Sequence, residues 1–309
     1  MGKFDMRKVG IIGLGHVGAT VALDIVQGGF ADELVLIDKK SEVAKAEVYD
    51  LWDSLALQPY HVKIYAGTYA DLKDADIVLS TLGHIDLIKP GGDRFTELRA
   101  NAPEVKSVSE KLNECGFNGI LIATTNPNDV IVDMYSKYLN LPKAHILGTG
   151  TYLDTARLKR QVADCLNLDP RTIEGYALGE HGNSQFAAWS TVRIGGQPFV
   201  EIAEKKGISL DDIEEATRQG GFAVFNTKGY TNVAIAAATV GLMNLVFSDA
   251  KNVAICSHYD ADFGSYISTP AIIGKDGVEA VVKLPLSADE MVKLQASANE
   301  IQDKIKQFS

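Results

Sequence analysis

The sequence predicts an α/β fold with a doubly wound parallel sheet, followed by a second, α+β domain. Two features of the chain lead to this prediction. Over the first half of its 309 residues, short apolar segments alternate with segments of helical periodicity, which is typical of a parallel sheet with helices on both faces. After about residue 148, short predicted strands follow one another with turn residues between them. We therefore expect two domains, residues 1–147 and residues 148–309.

The strands of the parallel sheet are predicted from apolar runs that do not alternate with polar residues, as expected when both faces are buried. Between the first two runs, Val17, Val21 and Ile25 recur every fourth residue and predict a helix that ends at Gly28-Gly29. Two further helices are predicted at about residues 95–114 and 128–138. The predicted strands are Val9–Ile12, Leu34–Ile37, Ile64–Ala66, Ile77–Leu79, Ile120–Ala123 and His145–Leu147.

The second half of the chain mixes helices with neighbouring strands. Gly195-Gly196, followed by Pro198, predicts a hairpin turn before a strand at Phe199-Val200, and the segment GKDG at residues 274–277 predicts another turn. The remaining predicted elements are a helix at 152–165, strands at 172–178 and 185–194, helices over 210–247 with a break near 226–229, hairpin strands at 266–273 and 278–282, and an amphipathic helix at about 287–307.

The composition argues against several classes of protein. Apolar residues make up 46% of the chain and charged residues 23%, as in ordered globular proteins. The net charge of −10 disfavours binding of nucleic acid or of an anionic membrane, since both need clustered Lys and Arg. Cys115, Cys165 and Cys256 form no CxxC pair, so neither a disulfide framework nor a metal cluster is expected. The sequence has neither a secretory leader nor an apolar run of about 20 residues, which predicts a cytoplasmic protein.

A glycine-rich segment predicts a nucleotide site. Gly13, Gly15 and Gly18 directly follow the first predicted strand and open the first predicted helix. In that context glycines permit a tight turn and a close approach of the backbone to a pyrophosphate. Asp38 stands at the end of the second predicted strand, where a carboxylate binds the adenosine ribose hydroxyls and repels a 2′-phosphate. We therefore predict a Rossmann domain that binds NAD, although the two lysines that follow Asp38 weaken the expected preference against NADP.

A second group of residues predicts acid–base chemistry. His181 lies between Glu180 and Gly182 after a predicted strand, where an imidazole can reach a ligand and exchange a proton near neutral pH. Asp154 and Arg157 lie three residues apart on one predicted helix. They form either a surface ion pair, or a site in which Asp154 orients His181 and Arg157 binds a carboxylate with its planar guanidinium. Their spacing alone leaves both interpretations open.

Two loops at the carboxyl ends of predicted strands complete the candidate site, because ligands bind at this edge of an open α/β sheet. Residues 83–94, GHIDLIKPGGDR, contain Pro90 and two glycines and predict a hinged lid that brings Arg94 to the site when it closes. Asn126 follows the fifth predicted strand and offers both a donor and an acceptor. Taken singly, the first segment is also compatible with a solvated loop, and the second is equally compatible with a helix cap.

Together, the motifs GLGHVG, LID, GGDR, TNP, LDTAR, GEHGN and KGYT occur in this order between residues 13 and 231. This order resembles the lactate/malate dehydrogenase family over nearly the whole chain, and residues 178–198 are most similar to the bacterial L-2-hydroxyisocaproate dehydrogenase branch. The resemblance implies an NAD-dependent oxidoreductase that acts on a small 2-keto or 2-hydroxy acid, forms a homodimer or homotetramer and needs no metal. The implied roles are His181 as proton donor and acceptor, Asp154 as its partner, Arg157 as ligand of the substrate carboxylate, Arg94 as the group that polarises the carbonyl, Asn126 as a hydrogen-bonding group between cofactor and substrate, and Thr231 as a pocket residue.

The lid departs from the family pattern. Before its last residue it contains neither the arginine of dicarboxylate-specific relatives nor the glutamine usual in lactate enzymes, and it contributes Ile85, Leu87 and Ile88. We therefore predict an L-2-hydroxyacid dehydrogenase that favours bulky aliphatic 2-keto acids such as 2-ketoisocaproate. The alternatives are an L-lactate dehydrogenase acting on pyruvate and a nucleotide-sensing protein without catalysis. Lys159 and Glu174 stand where allosteric relatives bind fructose 1,6-bisphosphate, and Glu174 argues against such a site because it repels phosphate.

Overall fold

A computed structural model describes residues 6–84 and 94–307 of the chain, with Arg94 and Phe95 described by their backbone alone. Within these ranges the chain forms 14 strands and nine α-helices. The strands are β1 Lys8–Ile12, β2 Glu33–Ile37, β3 Lys63–Ala66, β4 Ile77–Ser80, β5 Ile120–Ala123, β6 Ile146–Gly148, β7 Ile173–Glu174, β8 Ala177–Leu178, β9 Phe186–Ala187, β10 Arg193–Ile194, β11 Gln197–Pro198, β12 Asn252–Asp260, β13 Ser265–Gly274 and β14 Gly277–Val281. The helices are α1 His16–Gly28, α2 Ser41–Leu55, α3 Arg94–Cys115, α4 Asn128–Tyr138, α5 Tyr152–Leu166, α6 Phe199–Lys206, α7 Leu210–Lys228, α8 Val233–Ser248 and α9 Ala288–Lys306.

Strands β1 to β6 form a parallel sheet in the order β3-β2-β1-β4-β5-β6. One buried apolar cluster packs α1, α2 and α8 against one face of the sheet, and another packs α3, α4 and α9 against the opposite face. The strand order reverses between β1 and β4, which opens a crevice at the carboxyl ends of the strands. The doubly wound parallel sheet predicted from the sequence is therefore confirmed.

The C-terminal half of the chain adds three strands to the same sheet. Strand β12 pairs antiparallel with β6 through Ser257 and Gly148, and β13 and β14 continue the sheet as antiparallel neighbours. The sequence predicted β13 and β14 but not β12, because the buried residues of β12 include the polar Ser257 and His258, which interrupt its apolar pattern. The shared sheet joins the two halves of the chain.

Two strands predicted in the second half are shorter than expected. In place of one strand at 172–178, β7 and β8 are separated by Gly175, whose φ is 124°. In place of one strand at 185–194, β9 and β10 are separated by a 3-10 turn at Trp189–Thr191. The backbone changes direction at both interruptions, so these residues cannot extend a single ladder.

The hairpin predicted at Gly195-Gly196 is present, and both glycines have the positive φ that the turn requires. The strand predicted to follow it at Phe199-Val200 is wrong, since Phe199 begins α6. Phe199 and Ala203 lie one helical turn apart, and both are buried. With α5 and α7 they form a third apolar cluster, which supports the helix that carries Asp154 and Arg157. None of the helices in the described ranges is long and apolar enough to cross a membrane.

Candidate active site

A cavity of about 1000 Å³ opens where the strand order reverses, at the carboxyl ends of the parallel strands. It brings together residues that the sequence predicted separately, from the glycine loop to the end of α7. The predicted site residues that line it are Gly13, Gly15, Asp38, Asn126, Arg157, His181 and Thr231. Asp154 lies directly behind His181, and Gly18 packs against the glycine loop.

The glycine loop has the shape that a dinucleotide requires. Helix α1 begins at His16 with no side-chain cap and no acidic residue in its first turn, so its positive end is available to an anion. Gly13 has a φ of 95°, and a Cβ on Gly18 would lie 2.0 Å from the carbonyl oxygen of Gly13. A Cβ on Gly15 would meet no atom within 4 Å, which leaves space for a pyrophosphate close to the backbone. These residues fit NAD.

Asp38 fixes the loop as well as lining the cavity. Its Oδ2 accepts the backbone N–H of Leu14 at 2.8 Å, and its Oδ1 accepts that of Lys40 at 2.9 Å. The carboxylate is thereby held at the end of β2, at the position where the ribose hydroxyls of a dinucleotide bind.

His181, Asp154 and Arg157 form one connected group. Asp154 Oδ2 lies 2.6 Å from Nδ1 of His181, and Arg157 Nη1 donates to Asp154 Oδ1 at 2.8 Å. The side chain of Asp154 is only 1% exposed, while those of His181 and Arg157 are 18% and 15% exposed. Burial disfavours the charged form of Asp154, but the adjacent His181 and Arg157 outweigh it and hold the pKa of Asp154 below its usual value. The aspartate is therefore ionised beside the imidazole and the guanidinium.

Two acidic residues fix the backbone around His181, and sequence reasoning assigned neither of them a role. Asp129, on α4, accepts the backbone N–H of His181 at 2.7 Å. Glu180 is 2% exposed, pairs with Lys304 of α9, and donates its backbone N–H to Ser297 Oγ at 2.7 Å. Asp129 lies three residues after the predicted site residue Asn126. This proximity in the sequence is the signal that could have identified it. The contact between Glu180 and α9 has no signal in the sequence.

Asn126 and its neighbour bring polar atoms to the cavity. Among the described residues, Asn126 Oδ1 and Thr125 Oγ1 are buried without a hydrogen-bond partner, and both residues line the cavity. The backbone carbonyl of Asn126 accepts a bond of 2.8 Å from Asn101 Nδ2 on α3. Buried polar atoms of this kind are costly unless a ligand satisfies them, so Asn126 fits a role in ligand binding.

Thr231 lies in a short loop between α7 and α8 that is tied to the glycine loop. The ring of Tyr230 stacks on that of His16, with centroids 3.7 Å apart and planes at 6°. Asn232 Nδ2 donates to Thr20 Oγ1 at 2.8 Å. The loop that carries Thr231 is thus attached to α1 on both sides of Thr231.

Two glycines in α7 make room for Arg157. A Cβ on Gly220 would lie 3.0 Å from Arg157 Cδ, and a Cβ on Gly221 would lie 3.3 Å from Arg157 Nη2. Glycine inside a helix costs about 1 kcal/mol relative to alanine, so consecutive glycines in the middle of α7 need such a reason. Sequence reasoning missed them because a Gly-Gly pair gives no indication of which side chain it accommodates.

Several predictions fall on residues whose structure is not described. The lid at residues 85–93 lies outside the described ranges, as does the side chain of Arg94. The lid is described only at its first two residues, of which His84 lies 3.2 Å from Glu104 of α3, measured from Nε2 to Oε1. Within the described ranges, no three His, Cys, Asp or Glu side chains converge as metal ligands.

Comparisons with known proteins identify the family. A family model for the lactate/malate dehydrogenase NAD binding domain matches residues 7–148, and one for the alpha/beta C-terminal domain matches residues 151–309. The chain is 39% identical to L-lactate dehydrogenase 3 of Bacillus cereus over 98% of both chains. The minor L-lactate dehydrogenase of Enterococcus mundtii superposes with a TM-score of 0.93 at 31% identity, over 98% of this chain and 99% of the other. The lactate dehydrogenase of Cryptosporidium parvum, solved with lactic acid and nicotinamide adenine dinucleotide, gives 0.91 at 28% identity over 98% of each chain. The chain therefore belongs to the lactate/malate dehydrogenase family and is an NAD-dependent 2-hydroxyacid dehydrogenase.

Proposed function

We propose that this dehydrogenase interconverts pyruvate and L-lactate. Its relatives named L-lactate dehydrogenase support the proposal. The observation that carries it is that one buried carboxylate, Asp154, holds both the imidazole of His181 and the guanidinium of Arg157 beside the cavity. A 2-keto acid needs these two groups, one for its carbonyl oxygen and one for its carboxylate. A nucleotide-sensing protein without catalysis would need neither.

In this proposal His181 transfers the proton and Asp154 controls its charge. Because Nδ1 of His181 is bonded to Asp154, Nε2 is the nitrogen that donates a proton to the carbonyl oxygen of the keto acid. The ionised Asp154 stabilises the imidazolium that must exist before this transfer. NADH, held by the glycine loop and Asp38, would supply the hydride for the carbonyl carbon. In the opposite direction, neutral His181 accepts the hydroxyl proton of L-lactate.

Arg157 holds the substrate carboxylate in the same proposal. Its Nη1 is engaged by Asp154, but a guanidinium has five N–H donors in a planar fork and can contact a carboxylate at two points. Asn126 adds a hydrogen bond between cofactor and substrate, and Thr231 lines the pocket beside them. We assign Arg94, the last residue of the lid segment, the polarisation of the carbonyl, as the family resemblance implies.

A larger aliphatic keto acid such as 2-ketoisocaproate is the second candidate substrate. One feature favours it: the lid sequence supplies Ile85, Leu87 and Ile88 in place of glutamine. Each methylene buried in a matching pocket contributes about 0.8 kcal/mol. The names of the relatives favour pyruvate, so we rank the larger acid second.

We further propose that residues 1–147 bind the dinucleotide and that residues 148–309 bind the substrate. We also propose that the protein is a homodimer or homotetramer, as the family resemblance implies. We also propose that the enzyme does not respond to fructose 1,6-bisphosphate. Lys159 and Glu174 line a second cavity of about 470 Å³, where the carboxylate of Glu174 opposes a phosphate.

A substrate panel tests the function. NADH oxidation is followed at 340 nm with pyruvate, 2-ketoisocaproate, phenylpyruvate and oxaloacetate at one pH, and kcat/KM is compared. We expect pyruvate to be used best and oxaloacetate to be very poor. A ratio above one for 2-ketoisocaproate over pyruvate would replace the first candidate by the second. The variant His181→Gln should lose about 10²–10⁴-fold in kcat while NADH binding is retained, and full activity in that variant would contradict the assigned mechanism.

A further inference from the structure

The side chains around Asp38 form a charged cluster at the end of the cavity where the adenosine ribose is expected. We call this region the adenosine end and define it by Asp38, Lys39, Lys40, Tyr69, Glu104 and Lys111, all of which line the cavity. They come from the end of β2, the 3-10 turn after β3 and the middle of α3. The cluster contains cations that are able to attract a phosphate. Its ion pairs determine whether those cations are available to the 2′-phosphate of NADPH.

Lys39 is the cation next to Asp38, and it is already engaged. Its Nζ lies 2.8 Å from Glu104 Oε1, although the lysine side chain is 63% exposed and is not held by packing. The ion pair with Glu104, reinforced by Asp38, raises the pKa of Lys39. The ammonium is therefore directed toward α3 and held there by one carboxylate.

Glu104 is partly buried and has a second contact in addition to its ion pair with Lys39. Its side chain is 29% exposed, and the same Oε1 lies 3.2 Å from His84 Nε2. Tyr69 lies near both carboxylates: burial, followed by the charges of Glu104 and Asp38, raises its pKa to about 12. Glu104 and Asp38 thus place two negative charges around the adenosine end, with Lys39 between them.

We propose that Glu104 is a second coenzyme-specificity residue, which excludes NADPH by sequestering Lys39 in an ion pair. Asp38 alone would repel a 2′-phosphate, but a free Lys39 beside it would attract one. Engagement of Lys39 by Glu104 removes that attraction. The inference rests on the proposed placement of the adenosine ribose at Asp38, and its test separates the two ideas.

The test is a cycle of variants measured by equilibrium binding. Dissociation constants for NADH and NADPH are obtained from nicotinamide fluorescence for the wild type, Glu104→Gln, Lys39→Ala and the double variant. ADP and adenosine 2′,5′-bisphosphate serve as competitors that report on the adenosine end alone. We expect Glu104→Gln to tighten NADPH binding about three- to tenfold and to change NADH binding less than twofold. The gain should shrink at high salt because the new contact is exposed.

Lys39→Ala decides the mechanism. Since Lys39 is engaged in the wild type, we expect its removal to change NADPH binding less than twofold, whereas in the Glu104→Gln background it should abolish the gain. An equal gain with and without Lys39 would overturn the proposal, because Glu104 would then act only through its own charge. An unchanged ratio of NADPH to NADH affinity in Glu104→Gln would also overturn it.

Three controls complete the experiment. Glu110→Gln removes the same charge from an exposed position of α3 that does not line the cavity, and it should leave both dissociation constants unchanged. His84→Gln removes the other contact of Glu104 and should not improve NADPH binding; an improvement equal to that of Glu104→Gln would count against Lys39. Asp38→Ser tests the placement of the ribose. If Asp38→Ser fails to improve NADPH binding, the placement is wrong, whereas success there combined with failure of Glu104→Gln refutes the role of Glu104 alone.

Discussion

Asp154 Oδ2 lies 2.6 Å from Nδ1 of His181, while the other oxygen of the same carboxylate accepts from Arg157. The two functions that a keto-acid reductase needs, proton transfer and carboxylate binding, therefore depend on one buried aspartate. Removal of its charge should affect both functions at once, which distinguishes Asp154 from a residue that serves only one of them.

We expect Asp154→Asn to lower kcat for keto-acid reduction by about 10²–10⁴-fold and to raise the KM of the keto acid. Without the negative charge, His181 loses the charged partner of its Nδ1 and Arg157 loses the carboxylate that holds its Nη1. The measurement is kcat and the KM of the keto acid at one pH. Asp164→Asn on the same helix, which breaks an exposed pair with Arg160, is the matched control. Equal kcat and KM values for the two variants would contradict the assigned role.

Arg157→Lys should mainly raise the KM of the keto acid. An ammonium is a point charge and cannot reproduce the planar two-point contact of a guanidinium. We expect a rise of about 10-fold or more, since a charge-assisted hydrogen bond contributes about 1.5–3 kcal/mol, with the dissociation constant of NADH unchanged. Arg160→Lys, one turn along α5 and exposed, controls for the loss of an arginine. A near-normal KM in Arg157→Lys would mean that Arg157 serves only its ion pair with Asp154.

Gly220→Ala tests whether α7 accommodates Arg157. The new Cβ would lie 3.0 Å from Arg157 Cδ, so the arginine must shift. We expect the KM of the keto acid to rise about three- to tenfold, because about 1 kcal/mol of substrate binding free energy is lost. Alanine favours a helix over glycine by about 1 kcal/mol, so the melting temperature should not fall. A raised KM together with a lowered melting temperature would instead indicate general damage to the helix.

Asp129→Asn should make the stability less dependent on pH. Burial raises the pKa of Asp129 from 3.8 to about 6, so between these values the native state holds a proton that the unfolded chain has lost. The stability of the wild type therefore falls as pH rises through this window, by about 3 kcal/mol at most, and stays lowered above it. Asparagine does not ionise, so the variant does not lose this stability as pH rises. Its amide oxygen can still accept the N–H of His181.

The measurement is the free energy of unfolding in urea at pH 4.5 and pH 7.5. We expect Asp129→Asn to gain stability relative to the wild type at pH 7.5 and to gain little at pH 4.5. Asp133→Asn, one turn along α4 and paired with Lys137, should show no such gain at pH 7.5. A variant that loses stability at both pH values would show that the charge of Asp129 stabilises the fold.

The parts of the molecule that the sequence predicted correctly are those that depend on local pattern. The six parallel strands follow from continuous apolar runs, and α4 was predicted with its observed ends at Asn128 and Tyr138. Helix α2 was not predicted, although its buried residues Ala44, Val48 and Leu51 recur with helical spacing. Strand β12 was missed because the buried polar residues Ser257 and His258 interrupt its apolar pattern.

The same distinction holds for the candidate site. Residues inside recognisable motifs, such as His181 and Asp154, were found because the residue type itself suggests a chemical role. Gly220, Glu104 and Lys304 were not assigned roles, because each acts on a side chain far away in the sequence: Arg157, Lys39 and Glu180 respectively. Their roles become visible only when the fold brings these pairs together.

Tyr230 should couple the coenzyme loop to the substrate loop. Its ring stacks on His16 in the first turn of α1, and Lys228 lies 4.6 Å from the centroid of the tyrosine ring. Thr231, the next residue, lines the cavity. Tyr230→Ala removes the stack, which contributes about 0.5–1.5 kcal/mol. We therefore expect the KM of both NADH and the keto acid to rise about two- to tenfold, because one end of the stack belongs to the glycine loop and the other to the loop that carries Thr231.

A double-mutant cycle between His16→Ala and Tyr230→Ala separates this coupling from two independent effects. If the stack connects the loops, the second substitution should add little to the first, and Tyr230→Phe should restore both KM values because it keeps the ring. His16→Phe should also retain near-normal KM values, since a phenyl ring stacks without carrying a charge. Strictly additive losses in the double variant would mean that each side chain acts alone, and Thr231 would then be positioned by the bond between Asn232 and Thr20 rather than by the stack.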